Sequence, residues 1–181
     1  SEIKDLLISI GINPINNVVD ITNYVLHSLG QPLHAFDFEK ISKEKIIVRY
    51  GNKNEKFITL DGIERKLKED DLMICDGENK PMCIAGVFGG ENSGVTEETK
   101  TIFLESAYFN PSDIRKSSLN HGLKTDASYR FERGIDPNIT VFALKFASIL
   151  IKKYCEGDVV SQIYDVYPNK IENRKIEIDY N

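Results

Sequence analysis

Apolar residues recur at helical spacing twice near the start of the chain. Ile3, Leu6, Leu7 and Ile10 follow the i, i+3, i+4, i+7 period of a short helix that Ser1 can cap and Gly11 can end. Val18, Ile21, Thr22, Val25 and Leu29 form the stripe of a second helix from Asn17 to Leu29, stopped by Gly30 with Pro32 behind it. Asn23 lies off that stripe but is flanked by Val19 and Leu26, so a buried amide there needs a hydrogen-bond partner. From Lys45 to Val87 the pattern turns to strands. IIVRY, FITL and LMICD are separated by a turn at Asp61 and Gly62, and a loop follows from Gly77 to Pro81. MCIAGVF, a continuous apolar run, predicts one strand covered on both faces and broken by Gly89 and Gly90. TIFLES predicts another buried strand, ending at Glu105. Pro111 and Ser112 open a short helix to about Leu119.

The apolar residues after Asp136 and Pro137 run from Ile139 to Ile151 on nearly every side of a long helix, with Lys145, Ser148 and Lys152 as its polar edge. DVVSQIYDVYP predicts a closing strand, and KIEIDYN alternates like the start of another. Strands in runs beside a few helices, with no regular βαβ alternation, predict an α/β chain of α+β type. The expected architecture is a layered sandwich of mixed β-sheets flanked by helices, three layers in β/β/α order.

With 181 residues and 41% apolar residues the chain can bury one core, read as a single domain over 1–170, with 171–181 starting a linker or the next domain. The first residue is Ser and the last segment stops in mid-alternation, which reads as a piece of something longer. With 28 acidic against 23 basic residues, the net charge of −5 disfavours nucleic-acid binding driven mainly by the chain's own phosphate contacts. The sign reverses locally, where Arg115, Lys116, Lys124, Arg130 and Arg133 face only Asp126 and Glu132. Cys75, Cys83 and Cys155 lack CxxC spacing and read as buried thiols of a reducing cytoplasm. There is neither a signal peptide nor an apolar span of 18 residues, so no membrane partner is expected.

Residues 121–137, HGLKTDASYRFERGIDP, fit no hydrophobic period. Such a segment, with Arg, Lys, aromatics and a turn glycine, is either a face for a ligand or macromolecule, or a solvated helix edge. His34 in QPLHAFD reads first as a hydrogen-bonded structural imidazole and second as a catalyst. Glu105, closing an apolar strand, must either pair with an arginine such as Arg130 or Arg133, or accept a bond from a ligand donor. GVFGGENSG has neither the Lys-Ser/Thr of a nucleotide P-loop nor GxGxxG spacing. Its glycines serve either a tight turn or the close approach of a ligand to backbone. His27, His34 and His121 form no HExxH or compact ligand set, and no GxSxG nucleophile is present, which leaves no metal site and weakens zinc and serine hydrolase readings.

Four segments in order, NNVVDITNYVLHSLGQPLHAFD, IAGVFGGENSGV, FLESAYFNPSDIRKSS and HGLKTDASYRFERGIDP, closely resemble the editing module, the third and fourth domains, of the bacterial phenylalanyl-tRNA synthetase beta subunit. The resemblance implies hydrolysis of tyrosine wrongly esterified to phenylalanine tRNA, in the cytoplasm. It implies that Glu105 reads the tyrosine hydroxyl, and that Asn23 and His34 line the site near the ester and terminal adenosine as its catalytic pair. Thr125 and Ala127 would wall the pocket, with Gly86 and Gly89 at the strand end beside it. Lys124, Arg130 and Arg133 are the expected RNA contacts. The partners implied are phenylalanine tRNA, an alpha subunit and the remaining beta-subunit domains, in a heterotetramer of two alpha and two beta chains. No cofactor is implied for this domain, whereas the complete synthetase uses ATP and Mg. Two other readings stay open: a non-catalytic module docking tRNA or a sister domain, and a free-standing deacylase acting in trans.

Overall fold

The computed structural model of the chain describes residues 2–172 and 175–180, and its layers follow from where each apolar face finds a partner. Helix α1 (Glu2–Ser9) buries Ile3 and Leu7; its proposed cap, Ser1, lies outside the described residues. Helix α2 (Asn17–Leu29) is capped by Asn16, whose side chain accepts from the Val19 N–H, and ends on Gly30 at φ 75°. Helix α2 packs on both α1 and α5 (Thr140–Cys155), where Ala143 and Ala147 are small enough to let it approach closely. Leu33 and Leu104 extend this cluster onto the next layer.

That layer is an antiparallel pair, β1 (Leu33–Asp37) with β8 (Ile102–Ser106). Alternation along a strand sends Leu33, Ala35 and Leu104 toward the helices and His34, Phe36, Phe103 and Glu105 to the other side. On that side, Phe36 and Phe103 join the main core of a four-stranded sheet, β2 (Ile47–Tyr50), β5 (Leu72–Cys75), β6 (Pro81–Ile84) and β7 (Phe88–Gly89), in that order. A small hairpin, β3 (Lys56–Ile58) with β4 (Glu64–Lys66), turns at Gly62, φ 73°. Helix α3 (Pro111–His121) and the short α4 (Asp126–Phe131) close the main core with Ile114 and Phe131. The fold is thus α+β with helices and sheets in separate layers, as the pattern predicts. Every ladder among the described residues is antiparallel.

Three expectations need correction. MCIAGVF is not one strand: β6 ends at Ile84, the chain reverses through Ala85–Val87, and β7 returns beside it with Cys83 opposite Gly89. The reversal needs Gly86 at φ 64°, where a Cβ would stand 2.9 Å from both the Phe109 and Phe131 rings. Gly86→Ala is therefore expected to cost about 3 kcal/mol, from left-handed backbone plus overpacking, read as a lowered urea midpoint. Second, DVVSQIYDVYP forms no strand; Val160, Tyr164 and Val166 are largely exposed, because no strand edge lies alongside to complete a ladder. Residues 175–180 of KIEIDYN likewise form none, and Asn181 lies outside the described residues. Third, residues 121–137 do help build the core, through Ser128 and Phe131 on α4.

Candidate functional site

In the β1–β8 register His34 stands directly opposite Glu105. Residues so paired share one face with Cβ atoms about 5 Å apart, so the ladder itself fixes an imidazole beside a carboxyl. Gln31 holds the mouth of this ladder: buried, its Nε2 donates to the carbonyls of Ala107, 2.9 Å, and Pro32, 3.0 Å. The His34 ring lies edge-on to Phe36 with centroids 4.3 Å apart, which restricts its rotation.

Neither polar group is satisfied within the fold. His34 Nε2 is buried without a hydrogen-bond partner, and burial lowers the imidazole to about 4, so it is neutral across the physiological range. Among the described residues nothing donates to the Glu105 carboxyl, and burial pushes it up to about 7. Burial, and then the charge of Glu105, also raises the Cys83 thiol of the neighbouring sheet. Of the two alternatives open to Glu105, the pairing with Arg130 or Arg133 is not formed. Arg130 bonds the carbonyl and carboxylate of Asp126, and Arg133 bonds Glu132 at 2.6 Å and the Tyr129 carbonyl at 2.8 Å. These acids lie on or beside the arginines' own helix, within easier reach than a strand in the middle layer.

Gly89 forms the opposite wall. A Cβ there would lie 2.9 Å from Leu60 Cδ1, 3.2 Å from His34 Cε1 and 3.5 Å from His34 Nε2. Any side chain at this position would occupy the space in front of the imidazole. Thr125 caps α4 by accepting from the Ser128 N–H at 3.0 Å, while its hydroxyl donates to the Val87 carbonyl at 3.0 Å. Helix α4 is thereby tied to the turn that leads into Gly89. Ala127, two residues along, packs against the main core. Gly86 faces Phe109, Phe131 and Ile114, so its size limit serves the core.

Asn23 sits half-buried on α2, the helix that leads into and packs on β1, and its amide bonds to nothing among the described residues. His27 is on the same face, four residues on, with Nδ1 3.4 Å from Arg130 Nη2 and Nε2 buried without a partner. Lys124 is exposed just ahead of α4. His121 stands apart, its Nε2 2.6 Å from the buried Asp71. The structure therefore unites His34, Glu105 and Gly89 directly, ties Thr125 to their wall, and places Asn23 on the adjoining helix. Leu60, Gln31 and His27 were missed from sequence; only Gln31, a long polar side chain wedged between Gly and Pro, carried any signal. What results is a neutral imidazole beside a carboxyl, neither with a hydrogen-bond partner for its free atoms among the described residues, and with Gly89 leaving space in front of the imidazole. Such a pair can orient water and accept a hydrogen bond from a ligand hydroxyl, with no side chain placed as a strong nucleophile.

Residues 1–156 match the family model described as the B3/4 domain. The phenylalanine–tRNA ligase beta subunit of Bacteroides fragilis is 55% identical over 171 residues, 94% of this chain and 21% of that protein. The beta subunit of Porphyromonas gingivalis is 51% identical over 178 residues, 98% of this chain and 22% of that protein. The chain thus spans about a fifth of the length of these curated relatives. A crystal structure of an N-terminal fragment of the phenylalanyl-tRNA synthetase beta subunit from Pyrococcus horikoshii aligns with 59% of this chain and 40% of its own, at 18% identity and a TM-score of 0.44.

Proposed function

The chain belongs to the B3/4 domain family, and on that premise we propose that it is the editing domain of a phenylalanyl-tRNA synthetase beta subunit, hydrolysing the ester of tyrosine mischarged onto phenylalanine tRNA. The beta-subunit relatives at 51–55% identity support its place in that subunit. The observation that carries the activity is the cross-strand pair of His34, whose buried Nε2 has no partner among the described residues, and Glu105, whose carboxyl accepts from none of them. A site shaped for phenylalanine cannot strongly reject a ring that merely gains a hydroxyl, whereas a site with a buried acceptor penalises the ring that lacks one. Glu105 supplies that acceptor.

Aminoacyl-tRNA is already an activated ester. Water attacks the carbonyl carbon, the bond to the ribose oxygen breaks, and that oxygen takes up the proton, leaving free tyrosine and the tRNA hydroxyl. An imidazole with a pKa near 4 is a weak base, so the work of His34 is to hold the water in line, and the free ribose hydroxyl of the substrate assists. Asn23 borders the terminal adenosine, and Thr125 and Ala127 wall the ring pocket. Charging with ATP and Mg, the alpha subunit and the rest of the heterotetramer belong to the complete cytoplasmic enzyme, and hydrolysis here draws on neither ATP nor Mg.

The test is deacylation of tyrosyl and phenylalanyl esters of phenylalanine tRNA by the complete two-subunit enzyme. The tyrosyl ester should be cleared about 100-fold faster. Equal rates would leave the chain as a docking module.

A further inference from the structure

Beyond the ester site lies a second cleft, of about 280 Å³, between the end of α2 and the α4 region, lined by Leu29, Gly30, Tyr129, Arg130, Arg133 and Ile139 among others. Tyr129 is 57% exposed, and the Arg133 guanidinium lies over one face of its ring, 3.6 Å from the centroid. Arg133 is held there by its bonds to the Tyr129 carbonyl and to Glu132. The result is a flat aromatic and cationic platform already in place, so little conformational freedom is lost when a planar group stacks on it. Arg130 stands beside it, steadied by Asp126 and touching His27.

The position of this cleft matters as much as its chemistry. Asn23 and His27 lie one turn apart on one face of α2, roughly 6 Å of rise, and Gly30, which ends the helix, follows three residues on. The helix therefore leads from the ester site to the platform by way of the partnerless His27 Nε2. A chain molecule whose last unit sits at Asn23 and His34 would lay its preceding unit in this cleft. Charge narrows the ligand further. Asp136 also lines the cleft, while Asp126 and Glu132 partly neutralise the two arginines, so the site suits one or two phosphates and not a long polyanion. Stacking with few phosphate contacts is how single-stranded nucleic acid is held with little regard to sequence.

We infer that the Tyr129–Arg133 platform stacks the base of the nucleotide preceding the terminal adenosine, with Arg130 meeting the phosphate between them. This rests on the editing reading for the placement of the adenosine. It assigns to the cleft the acceptor strand, and to Tyr129 a binding role independent of hydrolysis.

The experiment is a titration of a fluorescently labelled, uncharged single-stranded RNA ending in CCA against the chain and its variants. Tyr129→Ala should weaken binding about 10-fold, Tyr129→Phe should restore it to within about twofold, and the salt dependence should show a logarithmic slope near −1. Circular dichroism confirms that each variant is folded. In the complete enzyme Tyr129→Ala should raise KM for tyrosyl-tRNA hydrolysis about 10-fold with kcat changed less than about twofold. If the parent chain does not bind the RNA, or the folded Tyr129→Ala variant binds it as well as the parent, the inference is overturned whatever the editing assay shows. If RNA binding depends on Tyr129 while the enzyme hydrolyses tyrosyl and phenylalanyl esters alike, the platform stands and the editing reading falls.

Discussion

Replacing His34 with alanine is expected to lower the single-turnover rate of tyrosyl-ester hydrolysis by about 100-fold while leaving KM within about threefold. His34 Nε2 is a buried polar atom without a partner, facing a wall kept clear by Gly89. A buried nitrogen left unpaired costs the fold free energy, which persists only where a ligand or water completes it. Because burial holds the imidazole near 4, His34 stays neutral over the pH range in which the enzyme works. In the Glu105→Gln enzyme, where residue 105 does not titrate, the rate should then show no limb near the ordinary histidine value of about 6.5. A rate of the His34→Ala enzyme equal to that of the parent, or a limb at that value in the Glu105→Gln enzyme, removes the role given to this side chain.

Glu105→Ala should reduce the preference for tyrosyl over phenylalanyl ester by about 30-fold, the worth of a hydrogen bond to a charged group. The effect carries a pH signature. Burial raises the Glu105 carboxyl to about 7, so below that pH it is mostly protonated and above it mostly ionised. The ionised form accepts the phenol O–H in a charge-assisted bond, which is the stronger one, so tyrosine selectivity should rise as pH increases from 6 to 8. Glu105→Gln keeps an acceptor without a charge, and its selectivity should be lower at pH 8 and flat with pH. The linkage to folding runs the other way. A carboxyl raised on folding costs no stability below its unfolded value of about 4.3, and stability is lost as pH rises through 7. Glu105→Gln should therefore be more stable than the parent at pH 8, as urea unfolding would show. A parent whose selectivity does not vary with pH would place phenol recognition elsewhere.

The parts of this molecule that could be read from sequence are those governed by near neighbours. Helices α2 and α3 carry Asn caps and terminal glycines in the left-handed region, each a signal spanning a few residues. β1 is hidden from the sequence because LHAFD is short and its partner, β8, lies far along the chain. With β1 hidden, the pairing of His34 with Glu105 was hidden too, although both residues stood out singly and by resemblance. The apolar run MCIAGVF concealed a reversal that depends on one positive φ at Gly86, invisible to any hydrophobic count. The β-branched and aromatic segment 158–168 has the composition of a strand without a neighbour to pair with, and composition alone makes no ladder. Charge alone offers Glu105 either Arg130 or Arg133, or a ligand donor, and cannot choose between them. In the fold, acids one to four residues away reach them first, which frees Glu105 for a ligand.

The most direct test is a crystal structure of the chain with a non-hydrolysable tyrosyl-adenosine amide bound. The phenol oxygen should lie within hydrogen-bonding distance, about 2.7 Å, of the Glu105 carboxyl, with the amide carbonyl in front of His34 Nε2 and Gly89. A tyrosyl group seated anywhere else, or one whose phenol is met by another side chain while Glu105 remains unbonded, would contradict the account.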